Sequence, residues 1–525
     1  MKDHRAVAPS AMPLRSKEDS AALIPTSMAW TDQSSAGIPR RRFPLLIPGL
    51  LKLILGLGLL VFLFRSKLVS VSIGSRTSIT FGGDDGGDDS QHSVEAALQC
   101  AIQKLDTSAL DQPGVEPIPF EEFVQRRDRI AQALVKEKLD AYIVEPGSDF
   151  NYLANLSNAA WEDWGPTERP FLLVIQALPN ESRTEATRSR STILTPNFEL
   201  GRAKQLVLPF APDDAKHLPW REEESPYAVL ASHLSRSTGK PTPDIRIKVG
   251  PETRTFITQG LALAQLHVQP FLETDPVADV RQTKSEREVH IMRAINTLTV
   301  EAIRAVRTCV YDGISEAELF DVFKRTVLSA GHGISDVEGL ALFGERTACP
   351  HCGPSASRRL KANQEFVLMD VGARLYGYIS DCTRTFLLPN STSPSTSPES
   401  FDPEKLKIWY KVHEAQTAAI NAIRQGTPLS AVDHAAREVI DQAGYGQYFT
   451  HRLGHSIGLQ MHESPYANGA NTRVTLKANT PLTAEPGIYI EGFAGVRLED
   501  VILTSKDGKE AQTLTNRRAT SPWDP

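Results

Sequence analysis

Two aspartates, three histidines and two glutamates could carry chemistry in this chain. Asp370 and Asp381 lie in the stretch Met369-Asp370-Val371-Gly372-Ala373-Arg374-Leu375-Tyr376-Gly377-Tyr378-Ile379-Ser380-Asp381-Cys382-Thr383-Arg384-Thr385. His451, His455 and His462 fall within twelve residues, Glu485 opens Glu485-Pro486-Gly487, and Glu499 closes Arg497-Leu498-Glu499. Each acid sits among apolar, strand-forming neighbours, where an ionised carboxylate is costly to bury unless a cation neutralises it. Taken singly, each residue has a plainer reading. A histidine such as His434 is more often structural than a ligand, and Asp500 reads equally well as a solvated partner for Arg497. Taken together, they are accounted for by one dinuclear metal site.

Other chemistries fit less well. Gly454-His455-Ser456-Ile457-Gly458 matches G-x-S-x-G, the nucleophile elbow of serine hydrolases. In that fold an acid and then a histidine follow the serine, whereas His462 is the only histidine after Ser456 and no acid lies between them. The chain has no H-E-x-x-H, no phosphate-binding glycine loop and no dinucleotide fingerprint. Its five cysteines, Cys100, Cys309, Cys349, Cys352 and Cys382, are too few and too scattered for a disulfide framework. One or two bridges stay open for an exported chain. Cys349-Pro350-His351-Cys352 has the C-x-x-C spacing, but a structural zinc ion needs two further ligands of that kind and no second pair exists.

The elements that must position these residues can be read from periodicity. Phe366–Val371 and Tyr378–Phe386 alternate as strands, and a tight turn at residues 375–377 folds them into a hairpin. In that hairpin Asp370 and Asp381 are expected to oppose one another, with Cβ atoms about 4.5–5.5 Å apart, close enough to share a metal ion. Ser285-x-x-Glu288, Ser315-x-x-Glu318 and Ser430-x-x-Asp433 are capping boxes that open amphipathic helices, the last two ending at Gly331 and Gly444. Upstream, a helical period runs from Phe120 to Glu137. Strand-like runs follow at residues 141–144, 171–175, 192–194, 205–208 and 245–249, and their alternation with helices predicts an α/β domain. A Ser/Thr/Pro-rich surface loop is expected at residues 389–403.

At 525 residues the chain has room for several domains, and its 41% hydrophobic and 23% charged composition is that of a globular protein. A net charge of −6 without a basic run on the folded part argues against nucleic-acid binding. Residues 1–42 read as a disordered tail. Residues 43–64 carry one charge, Lys52, and would span roughly 33 Å as a helix against a bilayer core of about 30 Å. The span is crowded by Pro44 and Pro48, so a cleaved signal leading to secretion is the alternative. The expectation is a single-pass signal anchor with the catalytic part luminal or extracellular, followed by a stalk over residues 65–117. The sequons at Asn155, Asn180 and Asn390 agree with glycosylation, although so short a pattern recurs by chance.

The order Asp370, Asp381, His455, Glu485, Glu499 resembles the pita-bread metallopeptidases, which include aminopeptidase P, prolidase, methionine aminopeptidase and creatinase. The motifs that carry it are D-x-G-x4-G-Y-x-S-D-C-T-R-T-F, H-x2-G-H-x-I-G, E-P-G-I-Y and R-x-E-D. The resemblance runs from about residue 118 to 511, and Arg281-x-x-Lys284-Ser285-x-x-Glu288 looks like the entry into the catalytic domain. It implies an α/β creatinase-like domain over 118–280, an α+β pita-bread catalytic domain over 281–511 and a tail over 512–525. It further implies that Asp370, Asp381, His455, Glu485 and Glu499 hold two divalent ions, with Asp381 and Glu499 bridging. Such an oxygen-rich set suits Mn²⁺, with Co²⁺ or Zn²⁺ as alternatives. Two ions about 3.5–4 Å apart acidify a bridging water and polarise a carbonyl. By the same resemblance Glu485 moves the proton, His351 and His462 face the substrate, and Arg497 and His451 stand behind the ligands. Cys352 departs from the glycine common after that first histidine, which puts the substrate wall there in question. The N-terminal domain favours Xaa-Pro hydrolysis of aminopeptidase P or prolidase type. A non-peptide hydrolase or lyase on the same scaffold, or a non-catalytic binding protein, are the alternatives. The partner is then a peptide or small molecule, with a homodimer left open.

Overall fold

A computed structural model of the chain describes residues 93–157, 160, 169–178, 187–210, 215–331, 333–362, 364–388, 401–506 and 509–525. The tail, the anchor and the first part of the expected stalk lie outside them, as do Asn180, Asn390 and nearly all of the Ser/Thr/Pro-rich loop. Asn155 is exposed at the C-terminal cap of a short helix. The placement as a single-pass membrane protein with a luminal or extracellular catalytic part is corrected. Among the described residues no helix is long and apolar enough to cross a membrane. Within residues 43–64 the prolines and Lys52 leave only Leu53–Phe64 unbroken, short of the ~20 apolar residues a span needs.

The first described elements are α1 (Val94–Lys104), α2 (Phe120–Glu137), β1 (Ala141–Val144), α3 (Ser148–Ala154), β2 (Leu172–Ala177), β3 (Ser189–Pro196), β4 (Ala215–Trp220), α4 (Pro226–Thr238), β5 (Arg246–Val249), α5 (Thr255–Leu263) and β6 (His267–Gln269). The six strands form one mixed sheet in the order β4-β3-β2-β1-β5-β6. β1 is buried along its whole length and β2 over its first five residues, which is why both read as unbroken apolar runs rather than alternating ones. The strand expected at residues 205–208 is not formed. Leu206 and Leu208 pack against the core while Val207 points outward, as in a strand. Their N–H groups close tight local bonds instead, Leu208 to the Leu206 carbonyl at 3.0 Å and Phe210 to that of Leu208 at 2.8 Å. The in-and-out pattern is real, but among the described residues no strand pairs with it.

The second half opens with α6 (Pro276–Gln282), α7 (Glu286–Arg307) and α8 (Glu316–Ser329). Both capping boxes predicted here are present: Ser285 with Glu288, and Ser315 with Glu318. β7 (Ile334–Phe343), β8 (Val367–Leu375), β9 (Tyr378–Ile379) and β10 (Cys382–Phe386) follow, with β8 central between β7 and β10. Next come α9 (Pro403–Ala422) and α10 (Leu429–Gln442), then β11 (Gly454–Ser456), β12 (Glu463–Ala467), β13 (Pro481–Ala484), β14 (Gly487–Ile490), β15 (Ala494–Arg497), β16 (Asp500–Leu503) and β17 (Gln512–Thr513). A second sheet runs β12-β11-β13-β16-β17, and β14 and β15 form a separate ribbon. One apolar cluster passes from Ile130 and Leu134 of α2 through Ile291 and Ile295 of α7 to Met369 and Val371 of β8, so the two halves share a core.

Three further expectations differ from the structure. Helix α1 lies inside the stretch 65–117 read as a stalk and packs against α7 and α8. Its buried face is only Ala97, Leu98 and Ala101, too small to register as an apolar period. The helix expected to start at Ser430 starts at Leu429, with Pro428 as its cap. Asp433 is occupied elsewhere, pairing with Arg437 at 3.0 Å and accepting the Leu453 N–H. The C-terminal stretch 512–525 is not a loose tail: β17 pairs with β16, and Leu514, Thr515 and Ala519 are buried.

Four of the five cysteines are paired, Cys100 with Cys309 and Cys349 with Cys352, leaving Cys382 free and buried. The first bridge ties α1 to the end of α7 across a sequence separation of 209. By loop-closure entropy it stabilises the fold by roughly 5 kcal/mol, whereas the short one contributes about 2 kcal/mol.

Candidate metal centre

The turn between β8 and β9 is the two-residue kind that suits a twisted hairpin. Tyr376 (φ 51°) and Gly377 (φ 88°) both take positive φ. Register then runs Leu375 with Tyr378, Arg374 with Ile379, Val371 with Cys382 and Asp370 with Thr383. Asp370 and Asp381 are therefore not directly opposed. Asp381 is displaced by two residues along its strand from Thr383, on the same face of the sheet, which makes it the diagonal neighbour of Asp370. Gly372 lies across from it, and a Cβ there would meet the Ser380 carbonyl at 2.3 Å, which accounts for the glycine of D-x-G.

Asp381, His455 and Glu499 converge, each offering a ligand atom within 4.8 Å of the others, and all three are buried. His455 comes from β11, while Glu499 sits between β15 and β16 with its N–H on the Thr383 carbonyl at 3.0 Å. The His455 Nδ1 lies 3.1 Å from the Ser456 carbonyl, a contact only a protonated Nδ1 satisfies. That leaves Nε2 facing Glu485 Oε1 at 3.2 Å and Asp381 Oδ2 at 3.6 Å. Glu485 follows β13, and Thr483 donates to it at 3.1 Å. Asp370 stands outside the group of three, engaged by the Arg497 guanidinium.

The electrostatics are those of carboxylates crowded together in a buried site. Burial first, then Asp370 and Glu485, hold the Asp381 carboxyl well above its usual range. Burial, then Asp381, Glu485 and Asp370, do the same to Glu499. Glu485 goes the other way: burial would raise it, but His455, His451 and Arg497 together outweigh burial and bring it down to about 2. Glu499 Oε2 accepts from Thr383 Oγ1 at 2.7 Å, while its Oε1 is buried with no hydrogen-bond partner. An acceptor left bare among carboxylates is what a hard divalent cation would fill.

Around this group, Arg497 donates to Thr383 Oγ1 at 3.1 Å and to the Tyr489 hydroxyl at 2.9 Å. The His451 Nε2 lies 2.9 Å from the same Tyr489 hydroxyl. The His462 ring meets that of His455 edge-on at 4.4 Å between centroids. His351 is exposed on the loop after Ala348, near enough to bias His451 and His462 electrostatically. Sequence reading missed Thr383, Thr483 and Tyr489. Thr383 carried a signal, since it stands two residues after Asp381 and so shares its face. Ser456, the serine of the apparent elbow, is fully buried.

Glu463, beside His462, is held from two sides. Its Oε1 accepts from Arg281 of α6 at 2.6 Å, and its Oε2 accepts from Lys284 at 2.9 Å. Burial would raise this carboxyl, but Arg281 and then Lys284 bring it from an ordinary 4.5 to about 2. Removing it leaves the buried Lys284 without its carboxylate, while Arg281 keeps Asp149 at 2.8 Å, so Glu463→Ala is expected to lower unfolding stability by about 3 kcal/mol at pH 7. A depressed folded-state pKa gives stability that is present above about pH 4.5 and lost as pH falls toward 2. The deficit of the variant, measured by urea unfolding, should therefore shrink between pH 5 and pH 3; a deficit independent of pH would contradict this account.

Residues 290–506 match the metallopeptidase family M24, and residues 126–244 match the creatinase/prolidase N-terminal domain. The chain belongs to metallopeptidase family M24, with a creatinase-type N-terminal domain ahead of a pita-bread catalytic domain. It is 41% identical over 434 residues to an uncharacterised peptidase of Schizosaccharomyces pombe, covering 82% of this chain and 90% of that one. Among solved structures it is similar to a dipeptidase from Mycobacterium ulcerans, at 28% identity and a TM-score of 0.64 over 77% of this chain and 98% of that one. A prolidase from Thermococcus sibiricus is similar at 26% identity and a TM-score of 0.61, over 77% and 99%.

Proposed function

We propose that this metallopeptidase cleaves Xaa-Pro peptide bonds, with Asp370, Asp381, His455, Glu485 and Glu499 holding two divalent cations, Mn²⁺ foremost. The observation that carries the metal reading is the convergence of Asp381, His455 and Glu499 around a buried carboxylate oxygen that lacks a partner. The substrate reading draws on the N-terminal domain and on the dipeptidase and prolidase among the similar structures. Bound in this site, divalent cations supply acidification of a water molecule and polarisation of the scissile carbonyl.

The side chains supply the rest. Glu485 is anionic and accepts the proton of the attacking water, then delivers it to the departing nitrogen. Arg497 fixes Asp370, and is itself held by Thr383 and Tyr489. His462, packed against His455, and the exposed His351 contact the peptide as the carbonyl becomes tetrahedral. The test is to incubate Mn²⁺-loaded protein with Xaa-Pro peptides of two, three and five residues, beside matched peptides lacking proline. Release of the N-terminal residue only where proline follows is the expected result. Equal cleavage of the proline-free peptides would overturn the specificity, and no cleavage of any peptide would overturn the substrate class.

A further inference from the structure

The turn Cys349-Pro350-His351-Cys352 departs from the family pattern at Cys352, and the structure closes it with a bridge across Cα atoms 5.5 Å apart. A bridge over so short a loop adds less to global stability than the long one, and its constraint falls on the turn itself. Its neighbours say where. The Pro350 carbonyl accepts from Arg497 Nη2 at 3.4 Å, and the same guanidinium holds Asp370, Thr383 and Tyr489. The next residue is His351.

The flanks of the turn are fastened independently. Thr347 Oγ1 accepts the Gly495 N–H at 2.8 Å, and Arg346 donates to the Gly353 carbonyl at 2.8 Å while pairing with Glu316 at 3.0 Å. Cys349 is anchored through its N–H on the Arg346 carbonyl at 3.0 Å, but beyond it the described hydrogen bonds of the turn are weaker: the one from Arg497, and that from the Cys352 N–H to the Cys349 carbonyl at 3.4 Å. Cys352 also rests on the small cluster Leu340, Leu342 and Leu368. The covalent bridge is therefore the strongest constraint on where His351 sits. Both cysteines are half-buried rather than enclosed.

We propose that the Cys349–Cys352 bridge is a thiol-reducible modification site that positions His351 beside the metal centre. Opening it needs two electrons from a low-mass thiol. One thiolate attacks a bridge sulfur, forming a mixed disulfide and releasing the other cysteine as a thiolate. A second thiol then attacks that mixed disulfide, leaving Cys349 and Cys352 reduced and the two small thiols joined to each other. With the bridge open His351 swings free and the Pro350 contact to Arg497 is lost, while the carboxylates and His455 keep their places.

The activity arm of the test rests on the Xaa-Pro reading above, and the backbone arm does not. The full chain, loaded with Mn²⁺, is treated with a trialkylphosphine, which reduces disulfides without chelating the metal as a dithiol would. One aliquot is alkylated, and its peptide masses show which bridge opened; the rest is assayed and reoxidised without alkylation. Opening Cys349–Cys352 is expected to lower kcat roughly ten- to a hundredfold, the scale of a catalytic contact moved by about an ångström, with KM and metal content little changed. Reoxidation restores activity. Cys349→Ser with Cys352→Ser should match the opened enzyme and ignore the phosphine, and adding His351→Ala to that pair should cost no more than His351→Ala alone. Amide exchange over residues 346–353 should quicken in every opened form. Full kcat in the opened enzyme, or a triple variant that loses more than His351→Ala alone, overturns the proposal. If no form cleaves an Xaa-Pro peptide, it is the substrate reading that has failed, and exchange decides the present one: faster exchange upholds it and unchanged exchange overturns it.

Discussion

Asp381→Ala and Glu499→Ala should each leave a folded protein with no measurable peptidase activity and with most of its metal gone. The two side chains contribute to the buried group of three, and burial together with neighbouring carboxylates holds both carboxyls well above their ordinary range. Removing either takes away a ligand and also the partner that draws charge into the site. The measurement is elemental analysis after dialysis, alongside turnover. Wild-type metal content in either variant would sink the assignment, even if activity were lost. Asp370→Ala makes a useful contrast. Its carboxylate is tied up with Arg497 outside the group of three, so loss of one equivalent is expected, with the other retained.

The second large effect separates proton movement from substrate contact. Glu485→Gln keeps an oxygen near His455 but removes the basic site, so kcat should fall by roughly 10²–10⁴, the range of a lost general base. Metal should weaken at the same time, because the His455–Glu485 contact at 3.2 Å belongs to the group that would hold it. His462→Ala touches His455 only through ring packing. It should leave metal stoichiometry near that of the wild type while lowering kcat/KM, the signature of a contact made in the transition state. The two variants thus diverge in metal content. An empty site in His462→Ala together with normal turnover in Glu485→Gln would reverse the roles proposed for residues 455–499.

Much of the site was legible because its residues break the rules of their surroundings. Acids in strand-like, apolar settings demanded a cation, and the turn at Tyr376-Gly377 could be located from composition alone. Register was harder. The hairpin turn sets it, and a two-residue displacement turned directly opposed aspartates into diagonal ones without changing their face. The supporting residues stayed hidden for another reason. Thr383, Thr483 and Tyr489 act through hydrogen bonds to Glu499, Glu485 and Arg497, which lie 116, 2 and 8 residues away, and such scattered separations leave no periodic trace. Helix α1 escaped notice because alanines bury without looking hydrophobic, and the C-terminal stretch because its anchors, Leu514 and Thr515, are two residues among polar ones. The membrane span failed in the opposite direction. Apolar content alone was persuasive, although prolines and a lysine shortened the run to twelve residues.

The long-range bridge between α1 and the end of α7 also bears on handling. Because Cys100 and Cys309 are covalently joined, a single protease cut anywhere between them yields fragments that remain one molecule. Such a nicked protein would migrate as intact chain on a denaturing gel without reductant and fall into two bands with it. The apparent integrity of a preparation, and any mapping of surface loops by limited digestion, therefore has to be judged on reduced samples.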